Sequence, residues 1–127
     1  MIIVDTSAWV HHLRYTNPIV DNLITKQLAA TTDVILLELV PFLKLQVSQK
    51  HISYFKEIDR ISTIFFSKQW DLLIQYQEEL IHQGVNGIGI PDLIIMVVAK
   101  INKTPIFSLD KQFEKASKIL DFQIYQP

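Results

Sequence analysis

The sequence of 127 residues contains no cysteine, which excludes disulfides, cysteine-based zinc sites and thiol nucleophiles and fits a reducing compartment. Its four histidines, His11, His12, His51 and His82, lack paired zinc-ligand spacing. No stretch approaches the ~20 consecutive apolar residues of a membrane span. The apolar run Ile2 to Val4 is too short for a signal peptide and has no basic segment before it. The expectation is a soluble, cytoplasmic protein with no membrane partner. An excess of basic residues is also missing: 12 Lys and Arg stand against 13 Asp and Glu, a formal net charge of -1. That balance excludes a globally basic nucleic-acid binder but permits a local basic surface beside an acidic pocket. No internal repeat, low-complexity tract or linker is visible. With 49% hydrophobic content, residues 1–127 are expected to form a single domain with a substantial core.

What is present alternates strand and helix signals. Ile2, Ile3 and Val4 form a β-branched run that stops at Asp5-Thr6-Ser7, and Ala8, Trp9, Val10 and Leu13 then predict a helix. Asn17-Pro18 breaks it, and Ile19, Val20, Leu23, Ile24 and Leu28 recur at amphipathic spacing. A short strand follows at Leu28 to Thr31. Thr32 or Asp33 can cap the next helix, Val34 to Val47, with Asp33 the better reading; the helix is apolar on nearly every side and is expected deep in the fold, bent or divided at Pro41. Ile52, Phe55, Ile58 and Ile61 mark another helix, Thr63 to Phe66 a strand, and Trp70 to Ile81 a long amphipathic helix ending in a loop with Gly84, Asn86, Gly87 and Gly89. Pro91 suits the first turn of a helix running to Lys103. Thr104-Pro105 leads into a strand at Ile106 to Leu109, a short helix starts at Asp110, and Phe122 to Tyr125 reads as a final edge strand. Without tight hairpin signals, this order predicts an α/β fold of three layers, α/β/α, with a central, mainly parallel sheet.

Four carboxylates interrupt the apolar segments: Asp5 closes MIIV, Glu38 sits inside VILLELV, Asp92 opens DLIIMVVA, and Asp110 follows PIFSL. An ionised carboxylate buried alone costs several kcal/mol, so such a set needs either separate hydrogen-bond partners or one shared cation. In a parallel sheet, the residues just past the strand ends gather along one edge, where ligands bind. Asp5 and Asp110 are strand-end residues, and Asp92 and Glu38 lie near helix starts that reach the same edge. Helix capping is the competing account for Asp5, Asp92 and Asp110. For Glu38, whose neighbours Val34, Ile35, Leu37, Leu39 and Phe42 leave little polar face, it is a buried pair with Lys or Arg. Ser7 and Ser108 are supporting polar candidates that could orient a carboxylate or form a local turn. Lys111, Lys115 and Lys118, with Lys100, Lys103 and Arg14, offer phosphate contacts or a merely solvated face. Trp9, Tyr15 and Phe113 offer stacking surfaces, with core packing the commoner role for Trp9 and Phe113.

In order along the chain, MIIVDTSAWVHHLR, DVILLELV, GIGIPDLIIMVVAK and IFSLDKQF resemble the successive motifs of the PIN domain family, closest to the VapC-type toxins of toxin–antitoxin pairs. The resemblance spans nearly the whole chain. It implies that Asp5, Glu38, Asp92 and Asp110 are the catalytic, metal-binding acids, with Ser7 in the associated polar position, around one or two Mg2+ or Mn2+ ions. It further implies an endoribonuclease acting on RNA and leaving 5′ phosphates, a small antitoxin whose tail covers the groove, and a homodimer formed through helices. Two features depart from the pattern: Gln112 stands where many relatives carry another aspartate, and Ile95, Met96, Val97 and Val98 replace smaller residues. The competing reading is a catalytically weak protein of the same fold that holds RNA or a basic peptide. A haloacid-dehalogenase-like phosphatase would need an aspartate where Ser7 stands. A receiver domain would need one after a central strand, where Ser67 and Lys68 occur.

Overall fold

The computed structural model describes residues 1–46, 53–55, 57–63 and 67–127. Among these residues, four parallel strands, β1 (Ile2–Val4), β2 (Ala29–Thr32), β3 (Asp59–Ile61) and β4 (Ile106–Phe107), make one sheet in the order β3-β2-β1-β4. Its register pairs Ile2 with Ala29, Ala30 with Asp59, and Ile3 with Ile106. The flanking helices are α1 (Thr6–Tyr15), α2 (Pro18–Thr25), α3 (Asp33–Gln46), α4 (Ser67–His82), α5 (Ile90–Ile101) and α6 (Lys111–Leu120). The three-layer α/β/α arrangement expected from the alternating signals is the one observed. β1, β2 and β4 are buried throughout, as strands covered on both faces must be.

The sheet order decides where a ligand can sit. From β1 the chain winds outward through β2 to β3, then crosses back through α4 and α5 to place β4 on the other side of β1. The winding reverses between β1 and β4, and the crevice beyond the carboxyl ends of two such strands is the usual binding position in open parallel sheets. Asp5 and Asp110 follow those two strands.

Several boundaries differ from expectation. β2 is one residue later than predicted, and β4 stops at Phe107, so Ser108 and Leu109 belong to the turn. Phe122 to Tyr125 contributes only a single parallel bridge, Ile106 to Ile124. The strand expected at Thr63 to Phe66 falls largely outside the described residues, which omit 64–66, and a strand stands at Asp59–Ile61, where none was expected. Ile61, expected on a helix, therefore lies on a strand; Ile52 and Val47 fall outside the described residues.

The largest correction concerns α3. Its buried stripe is Ile35, Leu39 and Leu43, four residues apart, while Leu37 is 74% and Leu45 87% exposed. Apolar residues on the outward face made a one-sided helix look apolar all round. The helix that does lie deep is α5, where Leu93 and Ile95 to Ala99 are all buried. Nor does Pro41 divide α3, which is continuous through it. Only the Leu37 carbonyl, on the exposed face, loses its usual helical donor. Thr32, not Asp33, caps α3, its hydroxyl accepting from the Ile35 N–H at 3.3 Å. Asp33 instead binds the Arg60 side chain and accepts from the Thr63 N–H at 2.7 Å.

Candidate active site

Asp5 is the anchor. It is 3% exposed, stands one residue past β1 and caps α1, with Oδ1 accepting from the Ala8 N–H at 3.2 Å. The same oxygen accepts from Ser7 Oγ at 2.7 Å, and Oδ2 accepts from Ser108 Oγ at 2.9 Å. The serine hydroxyls are themselves tied into the β4 turn: Ser7 Oγ accepts from the Leu109 N–H at 3.1 Å, and Ser108 Oγ from the Asp110 N–H at 3.0 Å. Capping and site-building, set against each other in the sequence, are thus one and the same for Asp5. This network welds the end of β1 to the end of β4. A carboxylate has about four acceptor positions, so three bonds leave Asp5 roughly one, on Oδ2.

Asp110 repeats the pattern on the other strand. It caps α6 by accepting from the Gln112 N–H at 2.9 Å through Oδ1, while Oδ2 accepts no hydrogen bond from the described residues. The Gln112 side chain packs beside Gly87, where a Cβ would stand 3.0 Å from its amide nitrogen, so the loop before α5 approaches the start of α6 through a residue without a side chain.

Asp92 is not a cap. The cap position of α5 is Gly89, which makes no side-chain bond, and Asp92 sits half-buried in the first turn. Burial pushes its carboxyl up to about 6, helped by the charges of Asp5, Glu38 and Asp110. Asp5 is likewise raised, first by burial and also by Asp110, against the lowering effect of its hydrogen bonds from Ser7, Ser108 and Ala8. Asp92 therefore lies within the electrostatic field of all three other acids.

Glu38 arrives differently. It is exposed, contrary to the buried position its neighbours suggested, because it lies off the Ile35–Leu39–Leu43 stripe. Its Oε1 accepts from Thr6 Oγ1 at 2.9 Å, which fastens the long side chain to the first turn of α1. Thr6 escaped sequence reasoning, because a β-branched residue at a helix start gives no sign of a partner 32 positions away.

Among the described residues, no Lys or Arg forms an ion pair with any of the four acids. As the side chains stand, no three carboxylates or imidazoles among those residues converge closely enough to hold an ion. The donor chemistry nevertheless suits a hard divalent cation, for which carboxylate oxygens are the preferred ligands. Glu38 and Asp110 are each held through one oxygen and keep capacity on the other, and Asp5, held through both, keeps an acceptor position on Oδ2.

The basic and aromatic candidates divide. Lys111 adjoins Asp110 and is exposed. Lys100 lies in the last turn of α5, away from the acids, and donates to the Leu120 and Asp121 carbonyls at 2.8 and 3.2 Å. It closes the end of α6 and is not placed for phosphate contact; Lys103 follows in the same far turn. Trp9 and Phe113 are core residues, and Tyr15 is exposed.

The sequence matches the PIN domain family over residues 2–119. The chain belongs to the PIN domain family. PIN domains are generally nucleases and generally use divalent metal ions. The fold is similar to that of DNA-bound VapBC from Salmonella typhimurium, with a TM-score of 0.76 and 14% identity over 98% of this chain and 96% of that one. It is also similar to VapBC2 from Rickettsia felis bound to a promoter DNA fragment, at 0.74 and 17% over 98% of both chains. FitAcB from Neisseria gonorrhoeae follows at 0.64 and 18%, over 100% of this chain and 98% of that one. No curated protein matches the sequence. Among the described residues of this PIN domain, no helix is long and apolar enough to cross a membrane.

Proposed function

We propose that this PIN domain is a metal-dependent endoribonuclease that hydrolyses RNA phosphodiester bonds in the cytoplasm, the toxin of a type II toxin–antitoxin pair. The observation that carries the reading is Asp92: three other acids reinforce its raised proton affinity, and no described cation neutralises them. A divalent ion, Mg2+ or Mn2+, is the economical answer to that charge, held by Asp5, Glu38, Asp92 and Asp110. When bound it supplies a nucleophile from water at neutral pH and charge stabilisation at phosphorus.

The chain's own groups do the rest. Ser7 and Ser108 hold Asp5 at a fixed distance from the turn that carries Asp110, so two acids are positioned before any substrate arrives. Thr6 holds the Glu38 carboxylate at the first turn of α1, the helix that Asp5 caps. Lys111 stands beside Asp110 to meet a backbone phosphate.

The VapBC likenesses support a small antitoxin as partner, its tail lying across the acidic groove. A homodimer is supported by an apolar groove of about 310 Å³ between α4 and α5, where Ile74, Ile81 and Ile90 are exposed. Contiguous apolar surface of this kind commonly marks a protein interface. One observation favours a second reading, a catalytically weak binder of RNA or a basic peptide: among the described residues no three of the acids converge closely enough to hold an ion as they stand.

The test is cleavage of RNA by wild type and Asp92→Asn with Mg2+ or Mn2+. The substitution is expected to lower the rate by about a thousandfold, as loss of a main charge-stabilising group does. Equal cleavage would reject Asp92 as an essential ligand, and no cleavage by either, with RNA still bound, would favour the binding protein.

A further inference from the structure

A cavity of about 240 Å³ opens beside the carboxylate crevice, between the β4 turn, the first turns of α6 and the segment 124–127. Ser108 and Asp110 form the wall it shares with the acids, so its mouth lies next to the groups assigned to the scissile phosphate. Phe107 and Phe113 line it with buried apolar surface, and Tyr125 lines it as well. The Tyr125 ring meets Phe107 edge to face, with centroids 6.3 Å apart and planes at 88°. Its backbone is fixed too: the Tyr125 N–H donates to the Ile106 carbonyl at 2.8 Å, and the Ile106 N–H to Gln123 at 3.0 Å. The aromatic wall is therefore an extension of the sheet and is oriented before a ligand enters.

Size and composition narrow the occupant. The space is smaller than the ~300–1,000 Å³ of pockets for drug-sized ligands, which suits one planar ring system. Its lining mixes aromatic faces with hydroxyl, carboxylate and backbone groups, and Lys111 stands at the rim to meet a phosphate. We propose that this cavity is the subsite for the one unpaired nucleobase adjacent to the cut, with Tyr125 as its stacking wall. The proposal rests on the RNA-cleaving reading above. It makes Tyr125 a specificity-determining residue and requires the base to leave any helix before cleavage, because a paired base cannot enter a pocket of this size.

The experiment uses a short single-stranded RNA containing a cut site mapped in total RNA, and a set of copies made abasic at each position flanking the cut. With wild type, one abasic position is expected to lower kcat/KM by about tenfold or more, the scale of losing one stacked base. Tyr125→Ala is expected to cut the intact RNA that much more slowly and to lose its preference for intact over abasic RNA; Tyr125→Phe keeps the preference. Thermal melting of both variants separates this from misfolding, and Tyr125→Leu, which keeps apolar bulk without the ring, serves if the alanine variant does not fold. If wild type cuts every abasic RNA as fast as the intact one, the subsite is overturned while the nuclease reading stands. Were Tyr125→Ala to weaken capture of a partner peptide and leave RNA cleavage unchanged, the cavity would be a protein-docking site and the proposal would fail. No cleavage of any RNA with either metal would sink the nuclease reading and the subsite with it.

Discussion

Three strand ends on the same edge of the sheet carry acids, and they are treated in two opposite ways. After β2, Asp33 is bound by Arg60 and by the Thr63 N–H; burial works to raise its carboxyl, but these contacts outweigh it and hold it below the usual range. After β1 and β4, Asp5 and Asp110 have only hydroxyl and backbone donors, and with Asp92 they share a field that no described cation offsets. Desolvation alone does not separate the two regions, since it raises both. The difference is the partner: one acid is finished by the fold, and the others are left ready for something the fold does not contain.

The comparison breaks most sharply in metal-free stability. Asp33→Asn removes a charge-assisted partner from Arg60 and is expected to destabilise the protein by about 1 kcal/mol, discounted because the pair is partly exposed. Asp92→Asn removes a repelled charge and is expected to stabilise it by about 1 kcal/mol in chelator near neutral pH, discounted for screening because Asp92 is only half-buried. Urea denaturation of both variants checks the signs; two destabilisations of similar size would mean that Asp92 has an unrecognised partner. In cleavage the ranking inverts, with Asp33→Asn within about twofold of wild type, because surface changes away from a site seldom move it.

The sequence carried the fold and the strand-end placement of Asp5 and Asp110, for physical reasons visible at particular residues. Ile2 to Val4 is a β-branched run closed by Asp5, and β-branched side chains fit a buried, pleated strand. Asp5 and Asp110 were legible because strand ends in a parallel sheet share an edge. The burial expected for Glu38 from its apolar run is not met: the residue is exposed and is tethered by Thr6. That tether depends on how α1 and α3 pack, which no local pattern records. Asp33 was misassigned because its partner, Arg60, is 27 residues away and comes alongside only through the pairing of β2 with β3. The subsite beside Tyr125 was illegible for the same reason, since it needs the bridge between Ile106 and Ile124.

Acidity sharpens the contrast at a somewhat smaller scale. Asp92 titrates near 6, above the ordinary 3.8, so between those values the folded chain holds more protons than the unfolded one. Its contribution is complete below pH ~4 and is lost as pH rises through about 6. For Asp33 the sign is reversed: its contribution is present above the ordinary carboxylate range and is lost as pH falls through its lowered value. In chelator, the difference in stability between wild type and Asp92→Asn is expected to widen by about 1 kcal/mol from pH ~4 to ~7, after discounting for screening. Added Mg2+ should close that gap at the upper end by binding the folded state alone. A gap that stays constant with pH would show that the Asp92 carboxyl is not held away from its ordinary value.

The smallest effect concerns the Glu38 tether. Thr6→Val keeps the shape of the side chain and deletes the hydroxyl that donates to Glu38 Oε1. Because Glu38 is exposed, water replaces that bond and stability is expected to change by under ~0.5 kcal/mol. Metal affinity is the more sensitive readout, since hydrogen bonds that orient ligands are worth roughly 10–100-fold. A loss at the lower end of that range is expected, because Glu38 would be one of four ligands and is the least constrained of them. If calorimetry finds Mn2+ bound equally well by both proteins, the Thr6 bond is incidental and Glu38 reaches the crevice unaided. If affinity falls with stability unchanged, the tether exists to hold a ligand and not the fold, which is the same distinction that separates Asp33 from the acids beside β1 and β4.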